Sequence, residues 1–234
     1  MKAASGDFLN TLSGPQRLAG WIYLPFHAVV LPLFLAILRA YLPDGLSDVA
    51  VNTVYFALGF IFCISVMWRF LRGAFDLLLD RLAKCAVALV FGYLGYDLLA
   101  YLAAGVLFAV LGDMPSNPND QAVIELMNEA PGPVTGLVIF IGPVVEEVLF
   151  RGVVFGSLRD KSRALAYILS MVIFSVCHIW QYVLIAMSWT PLIYMLPYIP
   201  AAYVLARTYE KTGSIWTPIF LHMLINGLAL LVLG

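Results

Sequence analysis

Long apolar segments alternate with short polar segments along the whole chain. Seven apolar segments occur, at residues 20–42, 47–70, 86–111, 133–156, 163–187, 191–207 and 214–234. Each has close to the roughly 20 residues that a helix needs to cross a bilayer. Because a helix satisfies its own backbone hydrogen bonds in lipid, each segment is predicted to be helical. The predicted fold class is therefore all-α, a polytopic bundle of about seven transmembrane helices.

Residues 71–85 carry a different pattern. Apolar residues stand at helical spacing among charged ones, with Phe75, Leu78 and Leu82 between Arg72, Asp76, Asp80 and Arg81. Such a segment is too polar to span a bilayer but can lie at its surface, so we predict an interfacial amphipathic helix. The first twenty residues are too polar for the apolar region of a signal peptide, and the first apolar segment is expected to remain as an anchor.

The composition agrees with a membrane protein. Of the 234 residues, 62% are hydrophobic and 12% are charged, and the mean hydropathy is +0.93. Soluble domains are about half apolar and a quarter charged. The 13 Lys and Arg residues against 14 Asp and Glu leave a net charge of -1, which excludes a basic protein that binds nucleic acid.

Basic residues gather in alternate connections between the apolar segments. Eleven of the 13 fall on one side of a seven-span bundle: Lys2, Arg17, Arg69, Arg72, Arg81, Lys84, Arg159, Lys161, Arg163, Arg207 and Lys211. The connection 112–132 has four acids and no Lys or Arg. Since basic residues stay on the cytoplasmic side, the N-terminus is predicted to be cytoplasmic and the C-terminus outside.

Five positions at depth in the apolar segments carry ionisable side chains that qualify as candidates, namely Asp97, Glu146, Glu147, His178 and His222, with Arg151 one turn after Glu147. Charged groups are costly in lipid and usually face a bundle interior or a partner, so each is a candidate functional residue. Asp97 is expected either to line the same cavity as the others or to pair across the bundle. His27, near the start of the first segment, is expected at the membrane interface.

The two adjacent glutamates are expected to have different roles. Glu147 and Arg151 are four residues apart on one helix face, with the acid first, which is the favoured order of an ion pair. Glu146 points about 140° away from Arg151 and cannot easily share that partner. We therefore predict that Glu147 is structural and that Glu146 is a general base.

Two histidines at membrane depth strengthen the prediction of one shared polar site. His178 and His222 stand on different predicted helices, and Asn226 follows His222 by one turn on the same face. His222 and Asn226 could together donate hydrogen bonds to an oxyanion.

At these residues the chain resembles the CPBP family of intramembrane endopeptidases, which includes CAAX prenyl endopeptidases, bacteriocin-processing enzymes and Abi proteins. Glu-Glu-x-x-x-Arg matches Glu146, Glu147 and Arg151; Phe-x-x-x-His matches Phe174 and His178; His-x-x-x-Asn matches His222 and Asn226. The resemblance covers residues 133–234. It implies a catalytic core there, whereas residues 1–132 would form an N-terminal membrane region.

The resemblance implies hydrolysis of a peptide bond in or near the bilayer by a glutamate-activated water, with no cofactor. Glu146 and His178 would hold the water, and His222 and Asn226 would stabilise the oxyanion. Glu147 and Arg151 would brace the helix. The expected partners are membrane lipid and a peptide, lipid-modified or membrane-protein substrate, and the expected location is the cytoplasmic membrane of a prokaryote.

Three other functions remain open at this point. A zinc-dependent protease could use Glu146, His178 and His222 as ligands, although no His-Glu-x-x-His helix is present. A non-catalytic immunity or scaffold protein could retain the polar cluster for packing. A proton-coupled transporter could use Glu146, His178 and Asp97 as a relay, but the chain shows no internal repeat.

Overall fold

The computed structural model of the chain describes residues 8, 10–42, 45–112 and 117–233, and within these it contains helices and no strand. Nine helices of more than ten residues follow one another: α1 (Gly14–Tyr41), α2 (Asp48–Ser65), α3 (Trp68–Asp80), α4 (Leu82–Leu111), α5 (Pro118–Glu129), α6 (residues 131–159), α7 (Arg163–Ala186), α8 (Tyr198–Thr212) and α9 (Trp216–Leu233). A short 3-10 helix, Thr190–Met195, lies between α7 and α8. The all-α prediction is confirmed.

Four of the described helices, α1, α2, α4 and α7, are long and apolar enough to cross a membrane. Residues Trp216–Val232 of α9 form a shorter apolar helix. The protein is thus an integral membrane protein. Helices α6 and α8 carry buried or clustered charged residues, so the count of seven spans and their orientation stay predictions.

The N-terminal helices begin and end at other positions than the pattern predicts. α1 starts at Gly14, because Ser13 and Gln16 form a capping box that begins the helix before the apolar segment does. The predicted second span, 47–70, is divided, since α2 ends at Ser65 and α3 begins at Trp68. The amphipathic helix is therefore α3, and residues 82–85 of its predicted range belong to α4.

Two later segments also differ from their predictions. The acidic connection 112–132 contains α5, whose first turn has Pro118 after an Asn117 side-chain cap. The predicted span 191–207 begins as a 3-10 helix, and its regular part, α8, starts only after Pro197. Gly213 ends α8 with φ of 77°, a left-handed conformation that glycine adopts without strain.

Helix α6 forms the centre of the bundle. Every residue from 142 to 157 is buried except Glu146. Glycines allow two helices to approach α6 closely: a Cβ on Gly20 of α1 would lie 2.3 Å from Val153 Cγ2, and one on Gly59 of α2 would lie 2.7 Å from Val145 Cγ1. The bundle is thus packed around α6 and leaves the Glu146 side chain partly accessible.

Candidate active site

Helix α6 directs its two glutamates to different surroundings. Glu147 is fully buried and accepts a hydrogen bond from Arg151 Nη1 at 2.9 Å. Arg151 is equally buried, donates from Nη2 to the Ala202 carbonyl of α8 at 3.2 Å, and lies 4.3 Å from the centre of the Phe174 ring. The predicted pair of Glu147 and Arg151 therefore joins α6 to α7 and α8.

Glu147 has a second partner that the sequence pattern did not predict. His222 Nδ1 lies 2.8 Å from Glu147 Oε1, on the same oxygen that Arg151 contacts. With Glu147 ionised beside Arg151, the Nδ1 of His222 carries the proton and donates it to the carboxylate. The Nε2 lone pair of His222 then faces the interior of the site, so Glu147 orients His222 as well as bracing the helix.

His178 is oriented in a comparable way by its own helix. Its Nδ1 lies 2.8 Å from the Phe174 carbonyl oxygen, and since a carbonyl only accepts, Nδ1 carries the proton. The imidazole ring stacks on Tyr198 of α8, with centroids 4.4 Å apart and an interplanar angle of 27°. The Nε2 atom of His178 is thereby also an acceptor.

Glu146 lies between the two histidines. Its Oε2 atom is 3.8 Å from His178 Nε2 and 3.9 Å from His222 Nε2. This oxygen is buried and has no hydrogen-bond partner within the part of the chain that the structure describes. The side chains of Glu146 and His178 remain 20% and 18% exposed, so a small molecule can reach them. The structure thus brings Glu146, His178 and His222 together, and the acceptor atoms of all three side chains face the same small region.

Asn226 is tied to an irregular turn of α6. Residues Leu137–Ile141 form a π-helical turn in which the Gly142 N–H bonds to the Leu137 carbonyl. The next backbone nitrogen belongs to Pro143 and has no hydrogen, so the Val138 carbonyl lacks a helical donor. Asn226 Nδ2 donates to that carbonyl at 2.9 Å. One amide hydrogen of Asn226 is thus engaged in structure, and its predicted oxyanion role depends on the other.

Part of the surroundings of His178 comes from a connection in which the pattern of residues indicated no site. The Asn117 amide donates to the Tyr198 hydroxyl at 2.9 Å, which holds the ring that stacks on His178. Residues before 133 therefore contribute to the surroundings of His178.

The expectation for Asp97 is wrong, and the interfacial position of His27 stays a prediction. His27 is buried between Tyr23 and Tyr55, and its ring stacks with both. Asp97 neither lines the site nor pairs across the bundle. It is exposed on the outer face of α4, since the opposite face of that helix packs against α8 and α9.

Comparisons with known proteins agree with the geometry. Residues 129–228 match the model of a family described as type II CAAX prenyl endopeptidase Rce1-like. A putative membrane peptidase, YdiL of Bacillus subtilis, is 27% identical over 175 residues, which are 72% of this chain and 67% of that protein. The membrane-embedded CAAX protease MroQ of Staphylococcus aureus is 27% identical over 125 residues, 52% of this chain and 47% of that protein.

A third relative is the UPF0177 protein YxdF of Lactococcus lactis, 30% identical over 86 residues, 37% of this chain and 42% of that protein. The alignments thus span about two thirds of the first relative and less than half of the other two. No solved structure matches the chain significantly. The family model covers the helices that carry Glu146, His178 and His222, and together with the named relatives it supports the resemblance to CPBP intramembrane proteases.

Proposed function

We propose that the protein is an intramembrane endopeptidase in which Glu146 activates a water molecule for attack on a peptide bond. One observation carries this proposal: the buried, unpartnered Oε2 of Glu146 lies 3.8 and 3.9 Å from two histidine nitrogens that are both acceptors. A water molecule has two hydrogens to offer to such a group of acceptors. The site can therefore hold a water and remove a proton from it.

In the proposed reaction, Glu146 and His178 orient the water, and Glu146 takes one of its protons as the oxygen attacks the carbonyl carbon. The second amide hydrogen of Asn226 donates to the oxyanion of the tetrahedral intermediate. His222 joins it as a donor only after its Nε2 acceptor has taken a proton from solvent, which gives the imidazolium form and is separate from the proton that Glu146 removes from the water. The C–N bond then breaks, and the proton held by Glu146 passes to the leaving amine. Glu147 keeps His222 in position throughout, through its bond to Nδ1.

The proposed substrate is a peptide that reaches the site within or beside the bilayer. The polar cluster lies midway along α6, about 22 Å from its first residue at a rise of 1.5 Å per residue. The names of the family model and of MroQ refer to CAAX substrates, so a lipid-modified C-terminus is one candidate. A peptide leader and the tail of a membrane protein are the others.

A zinc-dependent mechanism is the second candidate, and the same three acceptors favour it. Zinc bonds of about 2.0–2.2 Å in a tetrahedral site put neighbouring donor atoms roughly 3.3 Å apart, shorter than the 3.8 and 3.9 Å here. Among the described residues no group of three His, Cys, Asp or Glu side chains is placed so that it could hold a metal ion. These distances favour the metal-free reaction.

The test of the proposed function is hydrolysis of a peptide library by the purified protein in liposomes. Glu146→Gln keeps the size of the side chain and removes the base, so we expect activity to fall by about 10²–10⁴-fold. Glu129→Gln, an exposed change on α5, is the matched control and should leave activity unchanged. Activity of the Glu146→Gln variant within tenfold of wild type would contradict the assignment.

Metal dependence is tested on the same preparation. We expect full activity after exhaustive chelation and no stoichiometric zinc by elemental analysis. About one zinc per chain, with activity lost on chelation and restored by zinc, would make Glu146, His178 and His222 ligands and replace the proposed mechanism.

A further inference from the structure

Helix α4 has one face inside the bundle and one face outside it. On the inner face, Leu89, Tyr93, Tyr96 and Leu99 pack against α8 and α9. A Cβ on Gly92 would lie 2.7 Å from Leu221 Cδ2, which shows how closely α4 approaches α9 there. The outer face contacts none of the described helices. Any partner of that face therefore lies outside the part of the chain that the structure describes, and lipid and another protein are the two main kinds.

Asp97 stands on the outer face at the middle of the helix. Leu82–Leu111 has 30 residues, so Asp97 lies about 22 Å from either end and close to the centre of a bilayer. The residues that the structure describes offer its carboxyl no hydrogen bond or ion pair. A carboxyl group facing hydrocarbon is costly, and such groups normally face a partner.

The residues around Asp97 are of the kinds found where two transmembrane helices pack against each other. Tyr101 follows by one turn on the same face and is 78% exposed. Ala100 and Ala104 flank the pair, and small residues allow two helix backbones to approach closely. Val90, Leu94 and Phe108, all exposed, continue the face at alternating steps of three and four residues, the spacing of a left-handed helix pair.

We propose that this face of α4 is the interface of a homodimer. Two copies would pair about a twofold axis along the membrane normal, and Tyr101 of each copy would donate its hydroxyl hydrogen to Asp97 of the other. The two residues differ by about 6 Å in height, which the length of the tyrosine side chain covers. The pairing satisfies the polar groups of both copies, because the face offers one acceptor and one donor.

A second copy fits this face better than a partner with a basic helix. A Lys or Arg on a different protein would pair with Asp97 but would leave the Tyr101 hydroxyl in hydrocarbon. The twofold arrangement leaves neither group unpaired. The proposal is independent of the catalytic assignment, since Asp97 and Tyr101 lie outside the site.

The first experiment is cross-linking in native membranes with a short bis-maleimide reagent. We expect Leu94→Cys to give a product of twice the chain mass. The matched control is Ile168→Cys on α7, which is also exposed but lies outside the proposed interface, and it should give none. The wild type measures the background from the native cysteines, of which Cys63 and Cys85 are buried and Cys177 is partly exposed. Equal cross-linking of the two variants, or none, would overturn the proposal.

The second experiment measures dimerisation by energy transfer between labelled copies in liposomes of decreasing protein density. Asp97→Leu and Tyr101→Phe each remove both symmetric hydrogen bonds, so the dissociation constant should rise about tenfold. Asp97→Asn keeps an acceptor and should stay within threefold. Asp97→Leu should fold, because no described residue depends on that carboxyl. A wild-type dissociation constant in Asp97→Leu, or a cross-linked product containing a different protein, would contradict the homodimer.

Discussion

Glu147 makes two contacts whose loss should have separable consequences. It neutralises Arg151 at 2.9 Å and holds His222 at 2.8 Å, and both Glu147 and Arg151 are fully buried. Because removing one member of a buried pair leaves the other charge uncompensated, Glu147→Ala should lower the free energy of unfolding by about 3–5 kcal/mol. Thermal unfolding in detergent measures the change. The same variant should be inactive, because His222 loses the partner that orients it.

The double variant Glu147→Leu/Arg151→Met separates the two roles. Without either charge, most of the lost stability should return, while activity should not. The control is Arg39→Met, which removes one member of the exposed ion pair with Asp48 and should change stability by less than about 1 kcal/mol. Recovery of activity in the double variant would show that Glu147 acts only through Arg151.

The sequence predicted the residues of the site that depend on spacing within one helix. The separation of Glu146 from the Glu147–Arg151 pair follows from helix geometry alone. The contact of Glu147 with His222 and the stacking of Tyr198 on His178 join residues 75 and 20 positions apart. No period along the chain encodes these contacts, since they depend on how the helices pack.

At the level of the helices, the π turn of α6 explains the position of Asn226. The Val138 carbonyl has no helical donor because position 143 is a proline, and Asn226 supplies one. We predict that Asn226→Ala lowers the free energy of unfolding by about 1 kcal/mol, because the part-buried Val138 carbonyl loses its hydrogen bond.

A compensating change distinguishes structure from catalysis at Asn226. Pro143→Ala restores a backbone N–H that can bond to Val138, so Asn226→Ala/Pro143→Ala should recover melting temperature. If Asn226 also donates to the oxyanion, turnover should stay low in the double variant. Full recovery of both would show that Asn226 only supports the turn, and a melting temperature unaffected by Asn226→Ala would remove the structural role.

The helix boundaries that the sequence missed have local causes. Hydropathy places the start of α1 at residue 20, but the capping box at Ser13 determines the actual start. Helix α5 is polar and short, so no apolar period marks it, and its start depends on the Asn117 cap and Pro118. The long apolar helices α4 and α7 lie close to their predicted ranges because length and hydropathy suffice for them.

On the scale of the whole molecule, one carboxylate connects three helices at the side predicted to be cytoplasmic. Glu210, in the last turn of α8, is 7% exposed and contacts Arg159, Arg163, Tyr167 and Arg207. Burial alone would raise the pKa of Glu210, but hydrogen bonds from Arg163, Tyr167 and Arg159 lower it to about 2. The ionised form is therefore stabilised in the folded state.

This shift predicts a pH dependence. The ordinary pKa of glutamate is 4.5, so the contribution of Glu210 is complete above that pH and is lost as pH falls toward 2. At pH 7 Glu210→Gln should melt below wild type, and the difference should shrink between pH 4.5 and 2. The matched control is Asp76→Asn, whose exposed contact with Arg72 at 3.9 Å should contribute little to stability at pH 7. A constant difference for Glu210→Gln would contradict the prediction.

The charges at the two ends of α6 predict how the bundle is oriented in the membrane. Helix α6, residues 131–159, is about 43 Å long, so a crossing α6 separates the acidic α5 from the basic residues Arg159, Lys161 and Arg163. Since basic residues stay in the cytoplasm, the α5 end should lie outside. Glu129→Cys and Lys161→Cys place one thiol at each exposed end. Both are made in a Cys177→Ser background, because Cys177 is partly exposed whereas Cys63 and Cys85 are buried. An impermeant maleimide applied to intact cells should label Glu129→Cys at once and Lys161→Cys only after permeabilisation. The reversed pattern would put the N-terminus outside and overturn the charge argument.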